Sequence, residues 1–321
     1  MTDITHRFVE TNGTRMHLAE AGEGPLVLLL HGFPELWYSW RHQLVALAEA
    51  GYHAVAPDQR GYGQTDRPTE IEKYTQLDLV GDIIGLLDAL KEEQAVVVGH
   101  DWGAIIAWDT ALIRPDRIRG VVGLSVAYAP RGPVSMLTIM RSLVGENVYM
   151  AHFQQPGVAE AEFERDVRTA LRKFIYSISG DALAGREVMK AVASLGENLL
   201  NGSDPQTLPP WLTEQDLDYS TSEFERTGFR GGLNWYRTID RSWELMAAWN
   251  ATLVRTPALY VAGEQDLIIN WPGVQDVVAN LKMFVPNLRR TLLLPGCGHW
   301  TQQERPAEVN AALIEFLQGL E

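Results

Sequence analysis

Along the first part of the chain, short continuous apolar runs alternate with segments whose apolar residues recur at helical spacing. Arg7 to Glu10 and Arg15 to Ala19 flank Asn12-Gly13, a dipeptide that favours a tight hairpin turn, so the chain is expected to open with an antiparallel pair. Pro25 to Leu30 is an unbroken apolar run, the pattern of a strand buried on both faces. Trp40, Leu44 and Leu47 follow at helical spacing, and Gly51 closes that helix. His53 to Pro57 reads as the next strand, leaving into Asp58-Gln59-Arg60-Gly61-Tyr62-Gly63. Thr75 and Asp78 make a capping box for a helix expected to turn Leu77, Val80, Ile84 and Leu87 inward. Ala95 to Val98 reads as a strand, a helical pattern then runs to Arg114-Pro115, and Gly120 to Val126 is the next strand.

After that the rhythm stops. From about Arg131 to Trp249 the pattern is helical or irregular, with no convincing strand. Phe163, Val167, Leu171 and Phe174 mark one helix, Thr213 with Asp216 starts another, and Pro205 to Trp211 is a proline-rich connector. Residues 180–210 carry the weakest pattern of all. Strands resume at Ala258 to Ala262 and at Arg290 to Leu294, and a last helix begins at Pro306 with Val309, Leu313 and Phe316 inward. Strand and helix in alternation imply an α/β fold, a mostly parallel sheet covered on both faces. The expected organisation is a core of residues 1–130 and 250–321 interrupted by a helical cap, 131–249. Ligands of open α/β sheets bind outside the carboxyl ends of the strands, so an insertion leaving and returning there acts as a lid.

Composition narrows this little. Of 321 residues, 46% are hydrophobic and 21% charged, ordinary values for a globular protein. The longest aliphatic run, Leu26 to Leu30, is far short of the roughly 20 residues of a membrane span, and Met1 to Glu10 lacks the form of a signal peptide. The one cysteine, Cys297, forms no internal disulfide and fits a reducing, cytoplasmic setting; nothing around it marks an activated thiol. A net charge of −14 argues against nucleic acid as a partner.

Candidate chemistry collects at predicted strand ends. Val96-Val97-Val98 runs into Gly99-His100-Asp101-Trp102-Gly103 and then a helix, the context of a nucleophile elbow, but with a carboxylate at its apex. Ala258 to Ala262 runs into Gly263-Glu264-Gln265-Asp266, and Arg290 to Leu294 into Pro295-Gly296-Cys297-Gly298-His299. Asp101, Asp266 and His299 thus follow the order nucleophile, acid, histidine used by α/β hydrolases. Each alone is ordinary, since an Asp after a strand is usually a turn former. Gly123-Leu124-Ser125-Val126-Ala127 partly imitates a serine elbow, but Pro130 and Pro133 deny it a following helix, so Ser125 is rejected as a nucleophile.

Beyond the order of these groups, His31-Gly32-Phe33-Pro34, the elbow, Asp266 and His299 resemble the soluble epoxide hydrolases of the α/β-hydrolase fold. The likeness includes Gly61-Tyr62-Gly63 and two pieces of the lid: Tyr149 ahead of Phe153-Gln154-Gln155-Pro156-Gly157, and Tyr236 within Gly232-Leu233-Asn234-Trp235-Tyr236-Arg237. The resemblance implies that Tyr149 and Tyr236 hydrogen-bond the epoxide oxygen, and that backbone amides of Phe33 and Trp102 form an oxyanion hole. Asp101, already ionised at neutral pH, needs no base to attack an sp³ carbon. His299, oriented by Asp266, would then activate water to hydrolyse the resulting ester, giving a vicinal diol without metal or cofactor.

The expected partners are a small apolar epoxide and water, with Phe33, Trp37 and Trp102 as candidate substrate contacts, and the chain as monomer or homodimer. Fatty-acid epoxides, styrene-type epoxides and other xenobiotics fit such a detoxifying role. Two rivals stand beside this reading. A haloalkane dehalogenase shares the Asp elbow and the Trp after it, but its second halide donor can be an Asn where this chain has Phe33. A non-catalytic ligand-binding protein of the same fold would be expected to lack part of the set.

Overall fold

The computed structural model describes residues 3–146, 148–183 and 203–320. Eight strands form one sheet: β1 (Thr5–Thr11), β2 (Thr14–Ala21), β3 (Leu26–Leu30), β4 (His53–Pro57), β5 (Ala95–His100), β6 (Ile118–Leu124), β7 (Ala258–Gly263) and β8 (Leu288–Leu294), in the spatial order β1-β2-β4-β3-β5-β6-β7-β8. Asn12 and Gly13 both take positive φ, 47° and 71°, which is what a two-residue hairpin turn demands, and they join β1 to β2 antiparallel. β2 meets β4 antiparallel, and every later pairing is parallel. The interior strands β3, β5 and β7 are buried along their whole length, whereas the edge strands β1 and β8 expose most of theirs.

The two faces of the sheet divide the core by the alternation of strand side chains. Leu28, Leu30 and Val97 face the helices α2 (Gln76–Leu90) and α3 (Trp102–Ile113), together with the aromatic residues of the insertion. Val27, Leu29, Val96 and Val98 face the opposite way, onto Leu44 and Leu47 of α1 (Arg41–Glu49) and onto Val309, Leu313 and Phe316 of the helix Pro306–Gln318. Burying a residue of this size completely stabilises the fold by about 1.5–3 kcal/mol before entropy is counted.

Between β6 and β7 the chain leaves the sheet and builds a helical cap. Its helices include Met136–Val144, Tyr149–His152, Val158–Phe163, Val167–Ser177, Glu214–Thr227 and Arg230–Arg237. The helix expected through Phe163 and Phe174 is in fact two, because Asp166 takes an extended φ of −155° and caps the second one, accepting from the Thr169 amide at 3.1 Å. Helix α2 begins at the expected capping box, but its buried face is centred on Leu79, Ile83, Leu86 and Leu87, leaving Leu77 and Ile84 at its margin. β6 stops at Leu124, short of Val126, because Ser125 turns to φ 70°. Within the weakly patterned stretch 180–210, residues 184–202 lie outside the described residues.

The cap is fastened over the carboxyl ends of the strands. Trp235 Nε1 donates to the Arg60 carbonyl at 3.0 Å, in the loop after β4. Beside it Gly231 lies against Gly61, where a Cβ would come within 2.0 Å of the Gly61 oxygen. No helix among the described residues is long and apolar enough to cross a membrane.

Candidate active site

Asp101 sits at the apex of the turn between β5 and α3, with φ 52° and ψ −120°, a conformation that costs a non-glycine residue about 1–3 kcal/mol. The turn closes only because its neighbours lack side chains. A Cβ on Gly99 would lie 2.0 Å from the Gly103 oxygen, and one on Gly103 would lie 2.0 Å from the Leu30 oxygen. The strain lifts the Asp101 carboxylate clear of the sheet, at the amino end of α3, where the helix dipole favours a negative charge.

Each carboxylate oxygen has a different environment. Oδ1 accepts from the Phe33 amide at 2.9 Å, and Oδ2 lies 3.8 Å from His299 Nε2. Burial pushes the Asp101 carboxyl above the ordinary range, against the pull of His299, of His100, and of the Phe33 and Trp102 amides. On the far side of the ring, His299 Nδ1 lies 3.1 Å from Asp266 Oδ1, and that oxygen also accepts from the Ile268 amide at 2.9 Å. Burial opposes a charge on His299, but Asp266, the hydrogen bond between them and Asp101 outweigh it and raise the imidazole to about 9. Asp266 is held below the ordinary range despite its burial, by His299 and by hydrogen bonds from His299, Ser125 and Ile268.

The two cap tyrosines come together above this set. Their rings lie 6.0 Å apart and nearly perpendicular. Tyr236 also packs edge-on to Trp102 at 5.0 Å and Phe33 at 5.5 Å, the two residues whose amides flank Asp101. Tyr149 packs against Trp271 at 6.2 Å. Burial and the charge of Asp101 push both phenols upward, so both keep their hydrogens at neutral pH. The segment after Tyr149 ties the pair together: Phe153 touches both rings, Gln154 Nε2 donates to the Tyr236 carbonyl at 2.9 Å, and Arg237 donates to the Phe153 carbonyl at 3.0 Å.

Asp101, Asp266, His299, Tyr149, Tyr236, Phe33 and Trp102 are therefore gathered in one place. Trp37 is not. Its indole N–H donates to the Tyr219 hydroxyl at 2.7 Å and its ring packs on His6, Tyr38 and Tyr219, in the apolar cluster on the α1 side of the sheet. An aromatic residue four positions past Phe33 is carried to the opposite face by the short turn Trp37–Trp40. Cys297 is buried and its thiol is pushed upward by burial, in keeping with an inert side chain. Among the described residues no group of His, Cys, Asp and Glu is arranged to hold a metal ion.

Two features escaped the sequence. Ser125, rejected as a nucleophile, nevertheless reaches the site: its Oγ hydrogen-bonds Asp266 Oδ2 and lies 3.0 Å from His299 Nδ1. Glu35 and His100 form a buried pair at 2.6 Å, and His100 Nε2 lies 2.7 Å from the His299 carbonyl. Burial would raise the Glu35 carboxyl, but His100 and the Gly32 amide bring it down to about 2. Glu35 further accepts from Gln302 and Gln303, so it braces the elbow and the His299 loop together. A Glu just past His-Gly-Phe-Pro, and a His inside the elbow, were the signals available.

This geometry has close counterparts. The α/β-hydrolase fold family model matches residues 25–306. Epoxide hydrolase A of Mycobacterium tuberculosis is 46% identical over 99% of this chain and 98% of its own, and epoxide hydrolase 1 of Siraitia grosvenorii is 44% identical over 99% of each. Among solved structures, an epoxide hydrolase from an endophytic Streptomyces superposes with a TM-score of 0.94 at 46% identity, covering 99% of this chain and 96% of that one. With its fold, its full-length relatives and its structural neighbours in agreement, the chain belongs to the α/β-hydrolase family and, within it, to the epoxide hydrolases.

Proposed function

We propose that the chain hydrolyses apolar epoxides to vicinal diols through an ester on Asp101, with residues 131–249 as the lid over a core of 1–130 and 250–321. The observation that carries this reading is the unequal treatment of the two Asp101 oxygens. Oδ1 is held by an amide, as the carbonyl oxygen of an ester needs, while Oδ2 faces His299 Nε2.

In the first half, Oδ2 attacks one epoxide carbon and the C–O bond to the ring oxygen breaks. Tyr149 and Tyr236 hydrogen-bond that oxygen as charge builds on it, and one of them gives it a proton. Neutral phenols suit the task, because an epoxide oxygen leaves poorly without a proton donor. In the second half, His299 Nε2 takes a proton from water, and the water oxygen attacks the ester carbonyl. The charge that forms on Oδ1 is met by the Phe33 and Trp102 amides; a single donor of this kind is worth about 10²–10³ in rate. Collapse releases the diol and the Asp101 carboxylate, which keeps one oxygen from water. Ester hydrolysis liberates one proton net, and that proton restores the tyrosine.

The substrate is apolar on this reading, because Phe33, Trp102, Phe153 and Trp271 surround the tyrosines. Halide chemistry is disfavoured by Phe33, which offers an aromatic edge where a second N–H donor is wanted. The test uses His299→Asn with enzyme in excess over an apolar epoxide such as styrene oxide. The variant is expected to gain one epoxide mass on Asp101 and to retain it, while the wild type forms diol. Absence of the adduct from the folded variant, or fast halide release from haloalkanes by the wild type, overturns the reading.

A further inference from the structure

Ser125 takes no part in the steps above, yet its side chain is completely buried against two groups that do. It lies one residue past β6, at φ 70°, where a non-glycine residue is strained. The position is fixed from several sides: its amide donates to the Val261 carbonyl at 2.8 Å, and its own carbonyl accepts from the Tyr260 hydroxyl at 2.9 Å. The result is a closed triangle of Ser125 Oγ, Asp266 and His299 Nδ1.

Only one allocation of hydrogens satisfies that triangle. Asp266 is ionised and accepts only, and Ser125 has a single hydrogen to give. If Ser125 gave it to Nδ1, the bare Nδ1 would face Asp266 Oδ1, and the Ser125 oxygen would face Oδ2 with no hydrogen between them. With the Ser125 hydrogen on Oδ2, Nδ1–H is shared between Oδ1 at 3.1 Å and Oγ at 3.0 Å, and all contacts are attractive. Oδ1 already has the Ile268 amide, so Ser125 is the donor given to Oδ2 among the described residues. We propose that Ser125 is a positioning residue for ester hydrolysis: it gives its hydrogen to Asp266 and accepts Nδ1–H of His299, so that the neutral ring present once Asp101 is esterified keeps its hydrogen on Nδ1 and aims a bare Nε2 at the ester. It gains and loses no proton in the cycle.

This rests on the aspartyl-ester reading and predicts an asymmetric defect. Attack by Asp101 does not need a bare Nε2, whereas hydrolysis does. In Ser125→Ala the rate of ester formation is expected to stay within about twofold, and ester hydrolysis to slow by about 10–100-fold, the worth of one hydrogen bond to a charged group. Because the ester then accumulates, kcat and KM fall together while kcat/KM holds.

The pH profile supplies a second readout. The groups facing His299 are Asp266, Asp101, Glu35 and His100, with Tyr149 above and Glu304 behind the loop on the Gly298 and Trp300 amides. All of them remain in the variant. Losing the hydrogen from Ser125 concentrates charge on Asp266, so the acid limb of hydrolysis moves to higher pH by about half a unit or more. Ser125→Gly lacks the same hydroxyl but suits a positive φ, so it must reproduce the defect even if the alanine variant folds poorly. Unchanged hydrolysis in either folded variant overturns the inference, as does an equal loss of both half-reactions or a shift of the limb to lower pH. If the wild type forms no ester with any epoxide tested, the underlying reading fails and this inference falls with it; an intact wild-type ester beside an unaffected variant sinks the inference alone.

Discussion

At His299 two carboxylates hold a proton on the ring, Asp266 at 3.1 Å from Nδ1 and Asp101 at 3.8 Å from Nε2, and together they raise it to about 9. The free enzyme near neutral pH therefore carries an imidazolium beside the proposed nucleophile, the wrong form for the proposed base. The proposed esterification would neutralise Asp101, and the loss of a unit charge near 4 Å is worth on the order of 1–4 kcal/mol between water-like and protein-like screening. His299 then becomes a stronger acid and a usable base at the moment water is needed. Since the neutral ring is the active form, hydrolysis should rise with pH, and its acid limb should lie below about 9. Pre-steady-state decay of the ester measured across pH checks this; a limb at or above the free-enzyme value contradicts it. On the proposed mechanism the tyrosines act in the other half-reaction. Tyr149→Phe and Tyr236→Phe should each slow ester formation by about 10–100-fold, within the 10²–10⁴ range of general acids shared between two donors. Rapid-mixing fluorescence of the nearby Trp102 gives that rate, and equal slowing of hydrolysis would remove their assigned role.

Among the elements, the loop after β8 carries the most weight with the least regular structure. Glu304, from the turn Thr301–Glu304, accepts the Gly298 amide at 2.8 Å and the Trp300 amide at 3.0 Å, on either side of His299. It also accepts the Gly180 amide of the cap at 3.0 Å, and His299 itself donates its amide to the Ile178 carbonyl at 3.0 Å. One buried carboxylate thus joins the His299 loop to the cap, so the two are placed together. Glu304→Gln substitutes an NH₂ for one oxygen and sets it against a backbone N–H. The expected cost is about 1–3 kcal/mol of stability with a slower hydrolysis step. Denaturant unfolding of the variant measures it, and a wild-type midpoint would show that the carboxylate is dispensable.

On the scale of the whole molecule, what could be read from the sequence was what is local. The Asn12-Gly13 turn, the capping box at Thr75, the helix start at Thr213 and the fully apolar strands β3 and β7 are encoded within a few residues and lie where the pattern put them. Asp101, Asp266 and His299 were legible because each directly follows a strand, and parallel strands bring their carboxyl ends to one edge. Tyr149 and Tyr236 came through likeness alone, since a tyrosine in a cap helix carries no periodic signal that sets it apart from a packing residue. The failures are long-range. Ser125 meets partners 141 and 174 positions away, and Glu35 meets His100 across 65. Trp37 is apolar and near Phe33 in sequence, but the backbone turn between them decides which face of the sheet it reaches.

All of these scales converge on whether the oxygen added to the first diol passes through Asp101. A single turnover with enzyme in excess over an apolar epoxide, in ¹⁸O-labelled water, measures it directly by the mass of the diol. The covalent account predicts an unlabelled first diol and ¹⁸O in the Asp101 carboxylate. Full label in the diol after one turnover contradicts it.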